Sequence, residues 1–402
     1  MSLTAKPTAP TQETAQTENP LKALNRFGQS VWLDYIRRDL MTTGKLAHMI
    51  AADGLRGMTS NPTIFEKAIT GSTDYKQFLE ELAKRNDLDA KGIYEHIAVR
   101  DIQDAADALR GVYDQTKRRD GYVSLEVSPY LAHKTKDTID EARRLWKTVD
   151  RENVMIKVPG TPEGIPAIRE LIGGGVNVNV TLLFAQDVYE RVAEAFIAGL
   201  EDLASRGGDV SRVASVASFF VSRIDTLVDG KIADKLKGPE AGSDPPLLRS
   251  LQGKVAIASA KLTYQRYKEI FSGPRWQALA GRGATTQRVL WASTGTKNPA
   301  YSDVLYVEGL IGPDTVDTIP PATYDAFRDH GKPRASLEEG VDAARRTMQD
   351  LDRAGISMKA VTDQLTGDGV KLFADAFDEL LAAIEKQAKN PAGPTTSSAT
   401  GR

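Results

Sequence analysis

Lys157 lies in the run VMIKVPG (154 to 160), where Val154, Ile156 and Val158 alternate with Met155 and the lysine. In an extended strand that spacing turns the amine to the face opposite the three branched aliphatics, toward the interior of a closed sheet. A strand-end lysine ordinarily carries its ammonium out to solvent, and that is the plain alternative. In a dry interior the charged form is disfavoured, and a neutral amine can attack a carbonyl carbon near neutral pH. Two carboxylates stand in comparable runs, Asp34 in VWLDYI (31 to 36) and Glu126 in YVSLEVSP (122 to 129). One acid would neutralise a buried lysine. Two supply what imine formation and carbon-carbon cleavage need, one to move the proton of a substrate hydroxyl and one to dehydrate the carbinolamine.

Further polar residues fall late in apolar runs. Asn61 closes GLRGMTSN (54 to 61), Asn179 and Thr181 lie in NVNVTLLF (177 to 184), Ser218 in VASVASFFV (213 to 221), and Ser293 with Thr294 ends VLWAST (289 to 294). Asn179 and Thr181 are candidates to hold a substrate hydroxyl and a water, or else to bond backbone at a strand end. Arg223 follows Ser218 by five residues and Lys297 follows Ser293 by four, both expected in loops beyond late strands. Together these basic and hydroxyl groups suit an anion such as phosphate, although each cation alone reads as a solvated surface charge. His48, His96, His133 and His330 lie outside the apolar runs, with no HxH, HExxH or GxSxG spacing. Zinc-dependent and Ser-His-Asp chemistries are therefore disfavoured, and no metal or organic cofactor is implied.

The elements that must position these groups are legible in the hydrophobic period. Adding DTVDTIP (314 to 320) gives eight apolar runs, each followed by a segment of helical period. Eight such alternations predict a parallel sheet closed into a (β/α)8 TIM barrel, whose active site sits at the C-terminal ends of the strands. An open doubly wound sheet is the structural rival, but no GxGxxG or GxxxxGK[ST] follows the first run. Ile139, Ala142, Leu145 and Val149 share one helical face, as do Val188, Val192 and Phe196. Thr161 is expected to cap a helix opened by Pro162, with Ile165, Ile168 and Ile172 inward. Ser336 and Glu339 read as a capping box for a helix bearing Val341, Ala344 and Met348. Residues 62 to 121, with at least two helices, and 237 to 254 read as insertions in the barrel.

Composition sets the outer limits. Of 402 residues, 41% are hydrophobic and 26% charged, ordinary values for a chain that buries a large core. The 52 basic and 54 acidic residues leave a net charge of -2, so no overall field draws in nucleic acid, and no apolar run is long enough to span a membrane. The absence of cysteine excludes disulfides, zinc-thiolate sites and thiol nucleophiles and suits a reducing cytoplasm. Residues 1 to 20 and 389 to 402 read as disordered tails around one catalytic barrel, 21 to 388.

Six segments in order, TSNPT (59 to 63), SLEVSP (124 to 129), MIKVPGT (155 to 161), NVTLLF (179 to 184), SFFVSRID (218 to 225) and WASTGTKNP (291 to 299), resemble motifs of the transaldolase family. The resemblance spans roughly residues 21 to 388 and is strongest to the larger bacterial members, including those fused to a phosphoglucose isomerase, of which no isomerase portion is present. It implies a dihydroxyacetone transfer between small-molecule sugar phosphates in the pentose phosphate pathway, by a monomer or homodimer without cofactor. By the same resemblance Lys157 is the Schiff-base nucleophile and Asp34 takes the proton of the substrate C4 hydroxyl. Glu126 works through a water positioned by Thr181. Thr59, Asn61, Asn179 and Ser293 contact substrate, and Ser218, Arg223 and Lys297 take the phosphate. Many family members carry arginine where Lys297 stands, and a lysine lacks the bidentate fork. A class I aldolase releasing free dihydroxyacetone, a silent sugar-phosphate binding barrel, and a barrel isomerase with Glu126 as base are the competing readings.

Overall fold

The computed structural model describes residues 18–85, 87–238 and 244–389. Eight strands, β1 (Gln29–Asp34), β2 (Gly57–Thr59), β3 (Tyr122–Glu126), β4 (Val154–Pro159), β5 (Val178–Leu183), β6 (Ser215–Phe220), β7 (Arg288–Ala292) and β8 (Thr315–Ile319), form a closed barrel in sequence order. Every pairing is parallel, and β8 closes on β1 from Gln29↔Thr315 to Leu33↔Ile319. The eight runs read from the sequence are these strands, each displaced by a few residues at most. Every strand residue is buried except Asp34, because helices cover the outside and side chains fill the inside.

The interior is plugged at the N-terminal ends of the strands. Arg288 donates to Ser30 Oγ at 2.7 Å and to Asp120 Oδ1 at 2.8 Å, with all three side chains buried. A Cβ on Gly57 would lie 2.5 Å from the indole of Trp32, so only glycine lets that ring enter the barrel. The open end for a ligand is therefore the other one.

Ile139, Ala142, Leu145 and Val149 line the buried face of the helix Thr135–Val149, and Val192 and Phe196 are buried in the helix Gln186–Ser205, with Val188 partly covered. Two capping expectations are corrected. The helix after β4 opens at Gly164 rather than Pro162, although Thr161 Oγ1 still accepts from the Gly164 amide at 3.0 Å. Ser336 and Glu339 form no capping box. Ser336 is buried, accepting from Ile311 N and donating to Glu308 O, Glu339 pairs with Arg334, and the helix Val341–Arg353 starts after Gly340 in a left-handed turn. The described residues of 62 to 121 hold four helices. The described part of 237 to 254 contains the helix Pro245–Leu251, capped by Asp244 and packed on the helices Ser222–Lys237 and Val341–Arg353, outside the barrel wall. The tails read from the sequence lie mostly outside the described residues; Asn19 caps the helix Pro20–Leu24.

One element went unread in the sequence. The C-terminal helix Met358–Lys389, 32 residues long, reaches about 48 Å at 1.5 Å per residue. It packs on the helices Pro62–Thr70, Ala90–Ala108 and Ser222–Lys237 and on β5, and so crosses the open end of the barrel.

Candidate active site

Strand register brings the candidate groups together. Asp34 pairs with Thr59 across β1 and β2, and Glu126, Lys157 and Asn179 occupy one paired row across β3, β4 and β5. Lys157 faces inward with its side chain only 6% exposed, and Nζ lies 3.1 Å from Glu126 Oε2. That contact is a buried ion pair, and Nζ also donates to Ser60 O at 2.9 Å. A lysine so held is pre-oriented by backbone and carboxylate together.

These groups border a cavity of about 430 Å³, lined by Asp34, Thr59, Asn61, Lys157, Thr181, Ser218, Arg223, Ser293 and Lys297 among others. The volume suits a small organic ligand. Nine of the twelve polar and charged residues singled out in the sequence thus line one cavity. Glu126 sits just behind Lys157 in a smaller adjoining recess beside Tyr94. Asn179 lies one layer deeper. It is fully enclosed, accepting from Ser218 Oγ at 2.7 Å and donating to Ser124 Oγ at 3.0 Å, so it reaches the cavity through Ser218.

Electrostatics follow from enclosure. Burial pushes the carboxyl of Asp34 above its usual range, opposed first by the charge of Lys157 and then by the Thr59 hydrogen bond at 2.7 Å. Thr59 in turn shares a 2.6 Å bond with Thr318 on β8. Glu126 is likewise raised by burial, with Lys157 pulling the other way. Carboxyls shifted toward neutrality are effective proton carriers at neutral pH. Thr181 Oγ1 is buried with no partner among the described residues and lines the cavity, a geometry suited to holding a water or ligand oxygen. It sits beside a register shift in β5 where Leu182 takes φ +60°, a conformation uncommon for leucine that re-aims the strand end.

The cationic side of the cavity is Arg223 with Lys297. Arg223 occupies the first turn of the helix Ser222–Lys237 rather than the expected loop, a correction that sets it at a positive helix terminus. Burial draws its guanidinium down from its ordinary value, opposed by Asp34 and Glu126. Lys297 does lie in the loop after β7. That loop starts at Ser293, held at φ +56° with Ser293 Oγ 3.0 Å from Ser222 Oγ. Asn61 caps the helix Pro62–Thr70 through Oδ1, at 3.0 Å from Ile64 N, leaving its amide nitrogen for a ligand.

Sequence reasoning passed over several residues in and around the cavity. Thr318 is signalled by the alternation in DTVDTIP, and Lys67 and Phe373 also line the cavity, from helices. Asp317, buried on the outward face of β8, accepts from Thr294 Oγ1 at 3.0 Å with Oδ1, while Oδ2 has no hydrogen-bond partner among the described residues.

Residues 31–384 match the family model described as Transaldolase/Fructose-6-phosphate aldolase. The chain is similar to the transaldolase of Trichodesmium erythraeum, 46% identical over 373 residues that cover 92% of this chain and 98% of the relative. It is also similar to the transaldolase of Thiobacillus denitrificans, 48% identical over 366 residues covering 91% and 99%.

Proposed function

The chain belongs to the transaldolase family, and from that membership we propose how this transaldolase of the pentose phosphate pathway works: a dihydroxyacetone unit is carried between sugar phosphates as a Schiff base on Lys157. The observation that carries the assignment is the inward amine of Lys157 paired with Glu126 at 3.1 Å and facing the same cavity as Asp34.

A ketose phosphate, sedoheptulose 7-phosphate or fructose 6-phosphate, enters with its phosphate toward Arg223, Lys297 and Ser218. Glu126 takes the ammonium proton of Lys157, the amine adds to C2, and the carbinolamine loses water with a proton returned from Glu126 through a water held by Thr181. Asp34 then takes the proton of the C4 hydroxyl. The C3–C4 bond electrons pass into the iminium, and the aldose phosphate leaves. The retained enamine attacks C1 of a second aldose phosphate, glyceraldehyde 3-phosphate or erythrose 4-phosphate, Asp34 returns its proton to the new alkoxide, and water adds at C2 so that the new ketose phosphate leaves and Lys157 regains its ammonium. Thr59 orients Asp34, Asn61 and Ser293 hold substrate hydroxyls, and Asn179 acts through Ser218. A cysteine-free chain with this substrate class suits the cytoplasm.

Borohydride reduction in the presence of fructose 6-phosphate, followed by peptide mass mapping, should place the label on Lys157. Label on another lysine, or full turnover by Lys157→Ala, contradicts the scheme.

A further inference from the structure

Phe373 belongs to the C-terminal helix, yet its ring faces two cations of the site at once. Its centroid lies 6.0 Å from Lys157 Nζ and 5.9 Å from Arg223 Cζ. The ring is buried and lines the cavity, while the neighbouring Leu372 is 47% exposed at the rim. Gly369, Phe373 and Phe377 recur every four residues and form one helical stripe. Each end of the stripe is fixed. A Cβ on Gly369 would come within 2.8 Å of Leu182 Cδ2, next to Thr181, so the helix approaches β5 as closely as a glycine allows. Phe377 packs edge-on against Tyr94, 5.6 Å between centroids, beside Glu126. Phe373 is held between these anchors, spanning the gap between the amine and the guanidinium.

We propose that Phe373 is a specificity-determining residue that decides the fate of the bound three-carbon unit, favouring its transfer to an aldose over its release. The inference rests on the Schiff-base role of Lys157. After the first aldose leaves, two routes compete for the enamine. In transfer, C3 forms a bond to the acceptor carbonyl carbon, and the alkoxide takes the proton held by Asp34. In release, C3 takes a proton instead, water adds to the iminium carbon, and free dihydroxyacetone leaves as Lys157 regains its ammonium; one proton and one water are consumed. Both routes end with water adding at C2 to free Lys157; only the second needs a proton delivered to C3 from solvent while the enamine waits. An aromatic ring held against the two cations covers the enamine and keeps solvent from C3 until the acceptor aldehyde arrives. The same ring touches Arg223, so one side chain couples phosphate seating to the closed state of the nitrogen. A helix contributed by the chain's last elements thereby sets the reaction's outcome at strands four and six.

The test measures free dihydroxyacetone and sedoheptulose 7-phosphate formed from fructose 6-phosphate with and without erythrose 4-phosphate. Phe373→Leu keeps an apolar side chain and removes the ring. It should raise the ratio of release to transfer about fivefold or more, the size of a partly desolvated cation-π contact, while borohydride still labels Lys157. Gly369→Ala keeps the ring and lifts the helix from Leu182; it should move the ratio in the same direction and decides the matter if the leucine variant does not fold. An unchanged ratio in the folded variant overturns the inference. Loss of labelling at Lys157 in the parent enzyme would instead overturn the Schiff-base assignment, so the two failures are distinguishable.

Discussion

Glu126 and Lys157 face each other across paired positions of β3 and β4, with carboxylate and ammonium 3.1 Å apart and both side chains 6% exposed. Burial pushes Glu126 above the usual carboxylate range while the lysine charge opposes the shift. The pair can thus exchange one proton with little change in net charge, which is what an amine needs before it attacks a ketone.

Glu126→Gln keeps the volume and removes the base. Steady-state kinetics should show kcat down by about a hundredfold or more, within the usual range for a lost acid-base group, with KM for fructose 6-phosphate little changed. Wild-type kcat in a folded variant would remove Glu126 from the mechanism.

Lys297 has no ion pair or hydrogen bond among the described residues and stands in a loop that starts at the constrained Ser293. Lys297→Arg adds a planar fork for phosphate and should lower KM for fructose 6-phosphate roughly fivefold, whereas Lys297→Ala should raise it about tenfold, both with kcat held. If kcat rather than KM responds, the side chain does something other than seat the phosphate.

Asp317 is fully buried, and burial raises its carboxyl to about 8, with Thr294 donating a bond that pulls the other way and the charge of Asp34 adding to the rise. The folded state therefore holds this proton more tightly than the unfolded chain does. The stability it contributes is complete below the ordinary aspartate value, falls by about 1.4 kcal/mol per pH unit above it, and is spent once pH passes 8. Asp317→Asn stays neutral throughout, so thermal melts should find the variant increasingly more stable than the parent from pH 5 to pH 8, by on the order of a few kcal/mol, with no further gain beyond. A difference that is flat across this window would show that Asp317 is not the buried proton holder.

The sequence disclosed the strands because parallel barrel strands are dry on both faces, and a run such as VMIKVPG admits an ionisable residue only at a cost that function must justify. It disclosed helix faces such as Ile139, Ala142, Leu145 and Val149 for the same reason of period. It failed at caps, where Ser336 had the residue type of a helix start but spent its hydroxyl on Ile311 and Glu308. Local hydrogen-bonding capacity does not say which of several nearby backbones will claim it.

By itself the sequence determined that Lys157, Asp34 and Glu126 each lie near the end of a strand and on which face, because side chains alternate with a period of two. That period is blind to depth: a shift of two residues keeps the face and moves a side chain about 7 Å along the strand. Only the closed barrel, through its register, decided that Glu126 meets Lys157, that Asn179 lies beneath Ser218, and that a helix more than two hundred residues after Lys157 lays Phe373 above it. Such contacts arise from packing between distant elements, which no local pattern of residues encodes.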